Sequence, residues 1–453
     1  TLFNPNSRFV DVRKKVIKMR NKRKGIAAFL LALSFYSINY AQDSSSTYIP
    51  IPANQADSMG TLLVQTVEGR IQPVHTLAYD VFHKVSKKNN FSGDDGLVLN
   101  PMQVFVDMML DKAYWLDQKI IYVKKGTGVS DSLGIEGKYA SIRDFYNEDG
   151  TEKIGRLVKE SFAKKDINKN IFDKELIKVN ERLNILLQVM DGSILNIFPV
   201  LGDKNNRWVN WMDNYAMSPL DISNNHSAEI SLSKLFWTYV TDLGNAKKPE
   251  NDFKSANSLL LILKTYQNNS ADQSILLNED QINREMSYNN SNLFVNVKNY
   301  YGYLSVLLLL FTFWEALISV RKGFVFRIIN STMWLFIGLL IVVFAMHTYA
   351  LGLRWYITGH APWSNGYEAL TFIAWGGVFA GFLFIRNSKI TLAGTALLAF
   401  FTLMTAGHSS FDPQLTNLQP VLKSYWLMIH VACITISYGF LGLGFILGLI
   451  NIF

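Results

Sequence analysis

Apolar positions are spread unevenly along the 453 residues. Between residues 303 and 453 they form almost continuous runs, among them YLSVLLLLFTFWEALISV, TMWLFIGLLIVVFAM, LTFIAWGGVFAGFLFI and ITLAGTALLAFFTLMTAG. A helix needs about 20 predominantly apolar residues to cross the hydrocarbon core of a bilayer. The pattern therefore predicts five transmembrane helices, near 303–320, 329–351, 368–385, 390–406 and 425–453. A sixth apolar run, GIAAFLLALSFYSI, follows the dense basic cluster RKKVIKMRNKRK at residues 13–24. Residues 43–302 are instead polar and rich in Lys and Asn, which marks a soluble region. Within it, apolar residues of FDKELIKVNERLNILLQVMDG (172–192) recur every three or four positions and predict a helix. KGTGVSD, NEDGTEK and GNAKKPEND read as surface turns or linkers.

Charge orients these segments. Short cytoplasmic loops carry an excess of Lys and Arg, whereas long exported domains escape that rule. The cluster at 13–24 and the short loops VRKGFVFR (320–327) and RNSK (386–389) are basic. All three fall on the cytoplasmic side if the first helix runs outward and each later helix reverses direction. The expected architecture is mainly α, a polytopic membrane protein of about six transmembrane helices with a large, mostly helical exported domain. Its parts are a basic segment and first helix at 1–42, an exported domain at 43–302 and a five-helix membrane domain at 303–453. The run after the basic cluster also reads as a signal peptide, and on either reading the polar region at 43–302 is exported. The chain begins at Thr1 and stops at Phe453 within an apolar run, so it is expected to be a fragment of a longer protein.

The net charge of +8 would suit nucleic acid, but the basic residues sit where a membrane segment needs them, and no nucleic-acid partner is expected. A single cysteine, Cys433, excludes a disulfide or a cysteine-built metal site within this chain. No P-loop, G-x-G-x-x-G, HExxH or G-x-S-x-G motif occurs, which removes the usual nucleotide-binding, metalloprotease and hydrolase classes.

Candidate chemistry gathers at the outer face: His347 near a helix end, His360 and His408 in loops, and His430 about a turn inside the last helix. Imidazole is a common heme-iron ligand, and an ionisable side chain at membrane depth is a functional candidate by default. His430 also reads as a histidine that hydrogen-bonds a neighbouring helix, and His360, in GHAPW, as part of a rigid turn. Trp355, Trp363, Trp375 and Trp426 fit an interfacial aromatic belt. Glu368 fits a capping role at a helix N-terminus. The spacings Gly377 to Gly381 and Gly444 to Gly448 suggest helix packing. Cys433 is expected to be buried and inert. His75 and His83, eight residues apart, read first as a solvated helix start and second as a two-histidine site.

Two segments resemble one family. LRWYITGHAPWSNGYEALTFIAW and LQPVLKSYWLMIHVACITISYG are similar, in the same order, to two motifs of CcsA (ResC), a cytochrome c biogenesis protein. GRIQPVHTLA resembles a stretch near the start of the exported region of fused CcsB-CcsA (ResB-ResC) proteins, with His75 in place of an acidic residue. NPNSRFVDVRKK would then be the tail of a ResB-like part. The family's segment W-G-x-x-W-x-W-D follows, in the family, the helix that starts at the external histidine, and it does not occur in these 453 residues.

What the resemblance implies is heme carried to the outer face of a bacterial inner membrane and joined there to the cysteines of a CxxCH motif in apocytochrome c. It implies heme b as cofactor, with apocytochrome c, heme, the lipid bilayer and a thiol-reducing membrane protein as partners, and a periplasmic exported domain. By position, His430 corresponds to an external axial heme ligand. Trp426, His360, Trp363, Tyr367 and Glu368 match the surrounding platform, with no axial role implied for His360. No acid-base catalytic residue is assigned, and the chain reads as one component of a heme-ligating synthase. The alternative is a membrane-anchored exported scaffold without heme chemistry of its own. A small-molecule transporter is the weakest reading, because the membrane segments hold few ionisable residues beyond Glu315 and the outer histidines.

Overall fold

The computed structural model describes residues 48–93, 96–218, 231–248, 251–317, 323–384, 389–408, 411, 413–418 and 420–452. The expected first transmembrane helix and its basic cluster lie outside these residues, as do residues 320–322 and 386–388 of the two basic turns. The chain is mainly helical and divides into two compact units. Among the described residues, the first unit holds 48–65 and 73–276, and the second holds Thr66–Gln72 together with the chain from Leu277 onward.

The first unit is built on helices α1 (Ala53–Gly60), α2 (Val74–Ser86), α3 (Pro101–Leu110), α4 (Ile171–Met190), α5 (Leu232–Ala246) and α6 (Lys254–Ser270). Local sequence starts several of them. Asn100 with Gln103, and Asn170 with Asp173, form capping boxes at the starts of α3 and α4, satisfying backbone N–H groups that a helix end leaves without partners. Short antiparallel ribbons pair Phe91 with Leu99, Ile121 with Ala140 and Phe198 with Val209. One face each of α2, α3, α4 and α5 closes over a shared core that includes Phe82, Phe105, Leu186 and Phe236. Each such side chain contributes about 1.5–3 kcal/mol by leaving water. Asp107 lies inside this unit, accepting hydrogen bonds from Tyr48 Oη (2.8 Å), Ile51 N (3.0 Å) and Lys247 Nζ (2.6 Å). Burial pushes its carboxyl up, and Lys247 opposes that shift. The predicted helix at 172–192 is present as α4.

His75 corrects an expectation. It is not at a solvated helix start but fully buried, stacked on the Tyr79 ring with 4.6 Å between centroids. The first turn of α2 faces inward, which a spacing of eight residues does not reveal.

The second unit contains α7 (Glu279–Ser291), α8 (Leu293–Leu317), α9 (Phe324–Thr358), α10 (Gly366–Leu383), α11 (Lys389–Ala406) and α12 (Tyr425–Ile452). Helix α8 packs on α9 and α11, and α10 packs on α11 and α12. Apolar side chains also cover the outside, including Leu310, Trp314, Trp334, Ile341, Leu441 and Phe445. A helix bundle apolar inside and out is matched to a bilayer. Four spans are long and apolar enough to cross a membrane, Glu279–Glu315, Phe326–Thr358, Gly366–Leu383 and Tyr425–Leu449, while Ile390–Ala406 is a shorter apolar helix. Sequence counting gives α11 the same weight as its neighbours, but its length lies at the low end of what a bilayer requires.

Small residues set the closest approaches. A Cβ on Gly439 would lie 2.7 Å from Gly377 N and 2.8 Å from Ile373 O, so α10 and α12 meet backbone to backbone there. Gly377 and Gly381 also face close neighbours, Leu398 and Thr395 of α11. Gly444 and Gly448, expected to pack, have open space where a Cβ would stand.

Candidate functional site

The loop between α9 and α10 is organised by a charge that the apolar patterning does not single out. Arg354, one turn before the end of α9, is fully buried, and so is Glu368 in the first turn of α10. Arg354 Nε donates to Glu368 Oε1 at 2.8 Å. The other carboxylate oxygen accepts from Ser364 N at 2.8 Å and Ser364 Oγ at 2.6 Å. Glu368 is therefore the counter-ion of a buried guanidinium, and the side chain that caps α10 is Asn365, which accepts from Glu368 N at 2.9 Å. The Arg354 guanidinium also stands over the Tyr367 ring, 5.2 Å from its centroid, and donates through Nη1 to Tyr288 Oη at 3.2 Å. A lone arginine inside an apolar run was the signal available in the sequence, because such a residue almost always has a specific partner.

Beyond this pair, the guanidinium reaches the segment that precedes α12. Nη1 donates to Pro413 O and Nη2 to Gln414 O, each at 2.9 Å. His360 is also buried, 7% exposed, with Nε2 donating to Thr416 O at 2.9 Å and Nδ1 facing Ala361 O at 3.1 Å. A neutral imidazole carries one N–H, so with that proton on Nε2 the bond to Thr416 O is made and Nδ1 only lies beside Ala361 O. Arg70, from GRIQP, joins the same region through Glu285, whose two oxygens accept from Nη2 at 2.8 Å.

Aromatic rings continue from this loop along α10. Trp355 meets Trp363 edge-on at 5.7 Å, Trp363 lies 4.7 Å from Phe372, and Phe372, Trp375 and Phe379 stack in sequence. Trp363 Nε1 is buried without a hydrogen-bond partner among the described residues. A belt of independent interfacial tryptophans would not stack in this way, so Trp355, Trp363 and Trp375 form one ladder.

His347 stands deeper in the bundle, fully buried, with Nδ1 3.3 Å from Tyr301 Oη and Phe294 edge-on to its ring. His430 is exposed on α12, and so is Trp426 one turn earlier, at 77%. Cys433, expected to be buried, is exposed on the same helix. The structure accordingly brings His360, Trp363, Tyr367 and Glu368 into one neighbourhood and leaves His430 and Trp426 on an open face. Among the described residues no three of His, Cys, Asp or Glu gather to hold a metal ion. For heme, an accessible imidazole with an indole one turn away fits one axial side.

Residues 363–453 match the family described as Cytochrome C assembly protein. Protein NrfI of Wolinella succinogenes is 30% identical over 99% of this chain and 47% of its own length. Cytochrome c biogenesis protein CcsA of Guillardia theta is 31% identical over 34% of this chain and 50% of its own. The CcsA of Pyropia yezoensis is 40% identical over 23% of this chain and 34% of its own. The chain thus spans about half the length, or less, of these curated relatives. Residues 363–453 are thus similar to cytochrome c assembly proteins of the CcsA kind, and nearly the whole chain is similar to part of NrfI.

Proposed function

We propose that this chain is the part of a fused CcsB-CcsA protein that presents heme at the outer face of a bacterial inner membrane for covalent attachment to the CxxCH cysteines of apocytochrome c. The observation that carries the reading is His430, an accessible imidazole at the outer start of α12 with Trp426 beside it, inside the segment that matches the family. His430 would hold the iron of heme b on one axial side, and Trp426 would flank the porphyrin. Heme supplies the vinyl groups that become thioethers. The chain's own contribution is orientation: a fixed imidazole holds the heme so that incoming thiols meet the vinyl groups in one geometry. In this reading Trp363, Tyr367, Glu368 and His360 would supply the surrounding platform.

In this reading six helices cross the membrane and residues 43–302 form a periplasmic domain, with the lipid bilayer, apocytochrome c and a thiol-reducing membrane protein as partners. The chain would act as one component of the synthase. The competing reading, an anchored exported scaffold, draws on the self-contained core of the first unit. Heme spectra of the full-length protein, purified with and without His430→Ala, decide between them. The proposal expects loss of most bound heme, or a changed iron-ligand spectrum that added imidazole restores. Unchanged heme content and spectrum would remove His430 as a ligand and favour the scaffold.

A further inference from the structure

Four successive carbonyl groups, at residues 413 to 416, are each approached by a buried donor. Arg354 holds Pro413 O and Gln414 O at 2.9 Å, Arg70 Nη1 lies 3.5 Å from Leu415 O, and His360 Nε2 holds Thr416 O at 2.9 Å. Asn417 then turns outward, its Nδ2 donating to Glu68 O at 3.0 Å. Irregular backbone normally satisfies its carbonyls with water or with its own turns. Here two guanidinium groups and an imidazole, from the end of α9 with its following loop and from GRIQP, serve one extended stretch. Each arginine is matched by a buried carboxylate, Glu368 or Glu285. The arrangement requires two buried ion pairs, whose desolvation would be a heavy penalty if the stretch were only a connector. The stretch leads into α12, whose first turns carry Trp426 and His430.

We infer that this carbonyl clamp is a positioning device, and that His360 is its adjustable member: a hydrogen-bond donor that fixes the approach to α12, with no role as an iron ligand. Resting on the heme reading of His430, the clamp sets where that imidazole stands relative to the platform of Trp363 and Tyr367. The geometry is specific about which atom matters. The amide nitrogen of a glutamine reaches about as far as imidazole Nε2, whereas that of an asparagine corresponds to Nδ1 and falls short of Thr416.

The test uses the full-length protein with His360→Gln, His360→Asn and His360→Ala, and His430→Ala as reference, read by the rate of chymotrypsin cleavage at Leu415 and Leu418 and by the heme spectrum. The clamp predicts that His360→Gln keeps near-native cleavage and a native heme spectrum, while His360→Asn and His360→Ala are cut at least about tenfold faster at 415–418 and show a shifted or broadened heme band. A glutamine does not replace histidine as an iron ligand, so rescue by His360→Gln separates a clamp from a ligand. If His360→Gln fails as completely as His360→Ala in both readouts, or if His360→Ala leaves cleavage at 415–418 unchanged, the inference is overturned. Should His360→Ala not accumulate, the contrast between the Gln and Asn variants decides in the same way. If His430→Ala leaves the heme spectrum intact while the cleavage pattern across the His360 series holds, the heme reading fails and the clamp stands by itself.

Discussion

Glu368 shows how one side chain can be expensive to change without touching a reacting atom. Its carboxylate is buried, joined to Arg354 by one oxygen and to Ser364 by the other. Removing one member of a buried pair leaves an uncompensated charge and typically costs about 3–5 kcal/mol. Glu368→Ala is therefore expected to lower the thermal unfolding midpoint in detergent far more than Ser364→Ala, which removes a hydroxyl donor to a charged group worth about 1.5–3 kcal/mol while keeping the backbone N–H bond. Equal midpoints for the two variants would mean that the pair does not hold the loop. The sequence made Glu368 visible as part of a motif but not its partner. Fourteen positions separate Arg354 from Glu368, with a helix end, a left-handed Gly359 and a turn between them, and no periodicity spans such a gap.

At the scale of elements, the contact between α10 and α12 is set by one glycine that spacing rules do not single out. With Gly377 N and Ile373 O less than 3 Å from where its Cβ would stand, Gly439 cannot accept a side chain unless the two helices part. Gly439→Val should therefore destabilise the bundle by at least the about 1–3 kcal/mol typical of overpacking, and Gly444→Val, with open space around it, should not. Thermal unfolding of both in one detergent gives the comparison, and a stable Gly439→Val protein would place the close contact elsewhere. The five apolar helices at 303–453 were legible, because a bilayer demands a fixed length of apolar chain, four of them being long and apolar enough to cross one; their ends shift by a few residues except that α8 begins ten residues earlier, at Leu293, and α9 runs seven residues further, to Thr358. Packing faces were less legible. GxxxG gives spacing along a helix but not its rotation toward a neighbour, so Gly377 and Gly381 met close partners while Gly444 and Gly448 did not. His75 failed for the same reason: whether a helix turn faces core or water depends on elements far away in sequence.

For the molecule as a whole, the hydrogen bonds of the second unit tie together chain ends that a membrane topology must keep on one side. Arg354 closes α9, Glu368 opens α10, Pro413 to Thr416 precede α12, and Glu285 precedes α8. All of them therefore lie at the same end of the bundle, which is the alternation that the basic loops at 320–327 and 386–389 require if those loops face the cytoplasm. In the proposed topology residues 43–302 and this end of the helices both face the outer compartment. A Cys433→Ser background carrying either Lys174→Cys, in the soluble unit, or Asn387→Cys, in the second basic turn, tests this with a membrane-impermeant maleimide on intact spheroplasts. Lys174→Cys should label at once, and Asn387→Cys only after the membrane is permeabilised. The reverse pattern would invert the protein and put His430 at the cytoplasmic face, where an outer heme platform would have no place. Labelling of both from outside would mean that an even number of crossings separates the two sites. One of α8, α9 and α10 would then not span, and α10, the shortest of the four long apolar helices, would be the first to doubt.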